Sequence, residues 1–174
     1  MTISASKSSK LNLLTKNSTL WILFVATLLI TFTFSILPNY LGFAFIDVIT
    51  SPDQIRKILL DMTAEQKNIH VWITCTLDVA YPLSYSFLFA GVALKFFSKA
   101  GPYLAFLFLL AIPVDLFEGL IQVLALTEKT DLLNLKVFVT PLKFALFMGG
   151  SFISLIGLTR WLYKYFITGK RDKK

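Results

Sequence analysis

Cysteine and histidine, on which disulfides, zinc sites and much nucleophilic catalysis depend, occur once each in these 174 residues, as Cys75 and His70. A single cysteine forms no internal disulfide and says nothing about the redox compartment. The one histidine, which lies over a turn from Cys75 and reads as an interfacial residue, argues against a zinc site. Acids are scarce too: ten against seventeen Lys and Arg, with charged residues only 16% of the chain. No glycine-rich phosphate loop, nucleophile elbow or HExxH occurs, so the ordinary catalytic motifs are missing and no cofactor or metal is expected.

What the chain has instead is apolar surface. Hydrophobic residues make up 56%, and the mean hydropathy of +0.71 exceeds what a soluble domain can bury. The apolar residues fall into blocks near 19–37, 69–94, 102–127 and 137–159. A hydrocarbon core needs about 20 helical residues, so each block can cross a bilayer. The expectation is an all-α integral membrane protein, an up-down four-helix bundle forming a single membrane domain over 19–165.

The basic residues suggest an orientation. Lys7, Lys10 and Lys16 precede span 1, Lys95 and Lys99 join spans 2 and 3, and Arg160, Lys164, Lys170, Arg171, Lys173 and Lys174 follow span 4. That side carries one acid, Asp172; the other carries Arg56, Lys57, Lys67, Lys129 and Lys136 among six acids. By the positive-inside rule both termini are cytoplasmic. The net charge of +7 is then a topology signal plus a tail that attracts anionic lipid headgroups, and nucleic acid is not an expected partner. The run after "KSSKLNLLTK" is long and lacks a small-residue cleavage pattern, so span 1 reads as uncleaved.

Residues 1–18 read as a flexible basic cytoplasmic segment and 166–174 as a basic cytoplasmic tail. Pro38 is expected to close span 1 and Tyr40 to sit at the interface. In the one long loop, "SPDQIRKILLDM" carries a Ser51 cap, Pro52 at the first helical position and an apolar face of Ile55, Ile58, Leu59 and Met62. This predicts a short amphipathic helix over about 52–61 on the membrane surface. Thr63 and Gln66 form a capping box that starts span 2.

Four ionisable residues fall inside spans: Asp78, Asp115, Glu118 and Lys143. Charge in hydrocarbon is expensive, so such residues face the bundle interior or a wet cavity. At a rise of ~1.5 Å per residue, Asp78, Glu118 and Lys143 lie ~10–13 Å from the outer boundary and Asp115 ~18 Å. Helical spacing lines Asp78 up with Tyr81 and Tyr85, and Asp115 with Glu118 and Gln122. Span 4 offers Thr140, Lys143, Phe147, Gly150 and Ser154, and span 1 offers Thr27, Thr31 and Ser35. Four inward stripes would make a polar pocket of Asp78, Asp115, Glu118, Tyr81, Gln122 and Lys143. Pro82, Pro113 and Pro141 free the carbonyls of Asp78, Leu109 and Val137, which tend to line cavities. Three acids against one base leave a site that holds protons or accepts a cation. Alternatives stay open: a buried polar knot that only fixes helix pairing, or a Lys143 that snorkels to the outer interface. The run "GGS" with Ser154 and Gly157 reads as a close-packing face.

"TLDVAYPLSYSFLFAGVALKFF" and "IPVDLFEGLIQVLAL" together resemble a group of small uncharacterised bacterial four-span proteins. Those carry Asp-x-x-Tyr-Pro in span 2 and D-x-x-E-N in span 3. The matching positions here are Asp78, Tyr81, Pro82, Asp115 and Glu118, and Gly119 stands where the pattern has Asn. The resemblance covers about two spans and implies a bacterial inner membrane, but no activity. In plan alone the chain is similar to the sigma-2 receptor and sterol isomerase superfamily, whose bundle encloses a lipophilic ligand with a cationic centre. That likeness implies that Asp78 and Glu118 meet the cation.

The leading expectation is a binder of a small lipophilic or cationic ligand in an intramembrane carboxylate pocket. The alternatives are a proton- or cation-coupled small transporter acting as a homo-oligomer, and a non-catalytic assembly factor. An isomerase-like enzyme uses similar groups, but carboxylates suit passive binding equally, and the reading leans away from catalysis.

Overall fold

The computed structural model describes residues 13 to 168, which form helices and connections without a strand. Lys7, Lys10 and the tail after residue 168 lie outside the described residues, and with them most of the basic segments expected at the two ends. The helices are α1 (Asn17–Leu41), α2 (Pro52–Asp61), α3 (Ala64–Phe96), α4 (Gly101–Leu109), α5 (Ala111–Leu126) and α6 (Lys136–Thr168). Asn17–Leu41, Ala64–Phe96, Gly101–Leu126 and Leu133–Arg160 are long and apolar enough to span a membrane, as an integral membrane protein requires.

Local chemistry sets most of the helix ends. Ser51 accepts from the Gln54 N–H at the start of α2, with Pro52 following. Thr63 and Gln66 close a reciprocal capping box at the start of α3. Span 1 differs from expectation. Pro38 does not stop it; the helix continues to Leu41, where Gly42 adopts φ 71° and donates its N–H to Pro38 O at 2.9 Å. A proline in the last turn removes one helical bond, whereas a left-handed residue turns the chain away, so the glycine sets the end. Span 3 breaks at Leu110, between α4 and α5. Pro113 lacks the N–H that would have bonded Leu109 O, which accounts for the interruption.

The bundle is organised around α3, which packs against α1, α4, α5 and α6. In contrast α1 is peripheral: Thr27 is its one buried residue. Thr27 donates to Ser84 Oγ at 3.2 Å, and Thr31 shares a 3.0 Å bond with the Tyr81 hydroxyl. The polar stripe of span 1 therefore stitches two helices together and does not reach the carboxylates, so the expected four-stripe pocket has fewer walls.

Two apolar clusters flank the charged layer. One gathers Tyr85, Leu88, Phe89, Ala93, Ala105 and Phe108, with Phe147 against Tyr85 at 5.0 Å between ring centroids. The other gathers Ile46, Ile55, Met62, Ile121, Leu126 and Leu133, and includes the buried side of α2. Arg56 ties α2 to the connection before α6, donating to Asp131 at 2.8 Å and to Asn134 at 3.1 Å. These bonds raise the Arg56 pKa and lower that of Asp131. Lys67 does the same for Glu128 at 2.6 Å, lowering its pKa. At the opposite end of the bundle, Lys95 bonds Asn17 and Arg160 lies 5.4 Å from the centre of the Phe97 ring.

Candidate functional site

The charged layer is built by α3, α5 and the first turns of α6, and is closed by the loop that follows α1. On α5, Glu118 is fully buried and Asp115 is 2% exposed. On α6, positions 136, 140 and 143 share a face by helical spacing and present Lys136, Thr140 and Lys143 to those acids. Lys136 Nζ lies 2.8 Å from Glu118 Oε1, and the Thr140 hydroxyl donates to that same oxygen. Lys143 Nζ bridges the pair, 3.0 Å from Asp115 Oδ1 and 2.5 Å from Glu118 Oε2. The Tyr85 hydroxyl donates to Asp115 Oδ2 at 2.8 Å. Asp115 and Glu118 are thus both charge-compensated. They do not form a strained acidic pair, because two ammonium groups lie between and beside them.

Lys136, placed in the sequence among residues of the outer loop, is fully buried. It also donates to Ile46 O at 3.0 Å, while Ile46 N–H donates to His70 Nε2 at 3.2 Å. His70 is likewise fully buried. Because Nε2 accepts, the ring proton is on Nδ1, which faces Thr74 Oγ1 at 3.2 Å. A loop of composition "GFAFIDVI" cannot be left solvated, and it folds over the layer with Ile46 pinned on both sides.

Asp78 stands apart. It is 6% exposed, yet among the described residues it takes no hydrogen bond and no ion pair, since both lysines are committed to α5. It lines a cleft of about 210 Å³ between α3 and α5, with Thr74, Cys75, Val79, Asp115, Leu116, Gly119, Leu120 and Val123. Cys75, Leu116 and Leu120 are exposed, so the cleft opens sideways onto the apolar flank of the bundle. A methyl group built on Gly119 would sit 3.4 Å from Thr74 Cγ2 and 3.9 Å from Asp78 Oδ2. The missing side chain therefore provides the space in front of the carboxylate.

Of the residues expected at the site, Asp115, Glu118 and Lys143 come together as one network, and Asp78 shares the cleft with Asp115. Lys143 pairs with both acids of α5 and does not snorkel. Tyr81 turns to Thr31, and the neighbouring Tyr85 serves the network in its place. Gln122 is fully buried, but both its amide atoms lack a hydrogen-bond partner among the described residues. Asp47, 9% exposed, also keeps a buried unpartnered oxygen. Lys136, His70 and Asp47 were the residues missed. The signals for them were the 136/140/143 spacing and a lone acid within an apolar loop. No group of three or more His, Cys, Asp or Glu among the described residues is placed to hold a metal ion.

Compared with protein-family models, curated proteins and solved structures, the chain has no match.

Proposed function

We propose that this integral membrane protein binds a small lipophilic cation at Asp78, in the cleft between α3 and α5. One observation carries the reading: a carboxylate that is almost wholly buried, and takes no hydrogen bond or ion pair among the described residues, lines a cavity with an apolar mouth. A buried unpaired carboxylate is costly, and a ligand cation that pairs with it removes that cost. The lateral mouth suits a molecule already dissolved in the bilayer. The compensated Asp115 and Glu118 act as a rigid wall that fixes α5 and α6 around the site.

In this reading the end carrying Lys16, Lys95, Lys99 and Arg160 faces the cytoplasm, with both termini, and α2 lies at the outer surface. The resemblance of the span 2 and span 3 motifs to bacterial four-span proteins points to a bacterial inner membrane. The basic tail adds attraction to anionic headgroups.

The test is thermal unfolding in phosphatidylcholine nanodiscs at pH 7 with dodecylamine, for wild type and Asp78→Asn. At a hundred times Kd, binding stabilises by about 2.7 kcal/mol, which for a chain of this size is roughly 5–11 °C. Asp78→Asn keeps the shape of the side chain and breaks no hydrogen bond or ion pair among the described residues, so it should fold about as stably without ligand and lose the shift. Equal shifts in the two proteins would refute the proposal.

A further inference from the structure

The dimensions and chemistry of the cleft narrow the ligand further; this step rests on the proposed site at Asp78. We infer that the ligand is a primary ammonium on a single unbranched chain, admitted to Asp78 across Gly119, and that Gly119 sets the size limit.

Volume gives the first constraint. At about 210 Å³ the cleft is smaller than the ~300–1,000 Å³ sites that enclose a drug-sized molecule. It takes a head group and the first few carbons, and a rigid multi-ring ligand does not fit inside. The remainder of the ligand must lie outside the mouth, along the exposed Leu116 and Leu120, where an alkyl chain continues into the bilayer.

Donor count gives the second. Asp78 offers carboxylate oxygens that accept nothing from the described residues. Pro82, four residues on, has no N–H to give the Asp78 carbonyl. A primary ammonium carries three N–H donors for these acceptors, and a quaternary ammonium carries none. Gly119 gives the third. A methyl there would come to 3.9 Å from Asp78 Oδ2 and clash with nothing. The gap between Gly119 and Asp78 Oδ2 therefore holds about one methyl, so the part of the ligand that passes Gly119 to reach that oxygen is slim. An anionic phosphate is disfavoured beside Asp78 and Asp115, which excludes the head of a phospholipid.

The experiment is a titration of nanodisc-embedded full-length protein, followed by thermal unfolding, with dodecylamine, dodecyltrimethylammonium and dodecanol. Dodecylamine should bind about tenfold to a hundredfold more tightly than either of the others, the range set by losing one charge-assisted hydrogen bond. Gly119→Ala should leave the unliganded Tm unchanged or raised, since the helix gains a better former. It should also weaken dodecylamine about tenfold or more.

Equal affinity for the primary and trimethylated amines, both abolished in Asp78→Asn, would overturn the head-group assignment while leaving the site standing. No amine binding to wild type would overturn the site itself. Unchanged dodecylamine affinity in Gly119→Ala would overturn the role of Gly119. Stabilisation by phosphatidylethanolamine discs equal to that by dodecylamine would overturn the single-chain claim.

Discussion

Replacing Lys136 by Met tests whether the charged layer is as tightly constructed as its distances imply. Methionine keeps the length and apolar stem of lysine and removes only the ammonium. Glu118 Oε1 is then left with the Thr140 hydroxyl alone, and Ile46 O loses its donor. Removing one partner from a fully buried pair costs about 3–5 kcal/mol, because the remaining charge stays buried. For a chain of this length that is a fall in apparent Tm of roughly 6–20 °C. A lysine in a solvated loop would instead give a change within about 0.5 kcal/mol. The assay is thermal unfolding in nanodiscs at one fixed scan rate, since membrane proteins commonly unfold irreversibly and the rate must be held constant.

Lys136→Met leaves Asp115 and Glu118 sharing Lys143 with one negative charge in excess, and adding Glu118→Gln removes that excess. The double variant should therefore recover about 1–3 kcal/mol relative to the sum of the singles. A Tm change of less than about 2 °C for Lys136→Met would refute the reasoning. Strict additivity would refute the pairing even if the single variant were destabilised.

Neighbouring glycines on α6 should behave oppositely. A methyl at Gly150 would overlap the Phe89 ring, itself held between Tyr85, Phe108 and Phe147, so Gly150→Ala should cost about 1–3 kcal/mol. Gly149 has open space, and Gly149→Ala should be neutral or stabilising by up to about 1 kcal/mol; similar unfolding temperatures for the two variants would contradict this packing. On the outer surface, Asp131 has a folded pKa lowered by its bond from Arg56. The tether of α2 is therefore intact above the ordinary aspartate value of about 3.9 and is lost as pH falls through the lower, folded value. Hydrogen exchange in α2, measured as the ratio of wild type to Asp131→Asn, should differ from one near neutrality and converge on it at acid pH; a ratio independent of pH would rule out the tether.

The sequence exposed those features that depend on one helix at a time. Spans, the Ser51 and Thr63 caps and the α2 face all follow from residues within a few positions of each other, so periodicity and capping rules reach them. The inward placement of Asp115, Glu118 and Lys143 was legible for the same reason: a charge on an apolar helix has one affordable direction. Which charge pairs with which depends on the relative rotation and depth of three helices, and no spacing rule carries that. Lys136 illustrates the difficulty. At the edge of span 4 it counts equally well as a loop cation, and only the approach of Glu118 and Ile46 draws it inside. Once it is inside, the balance changes, because two lysines pair with α5 and leave the acid of α3 without an ion pair among the described residues. The two carboxylates of "VDLFEG" are therefore the braced part of the layer, and the functional proposal moves one helix away, to Asp78.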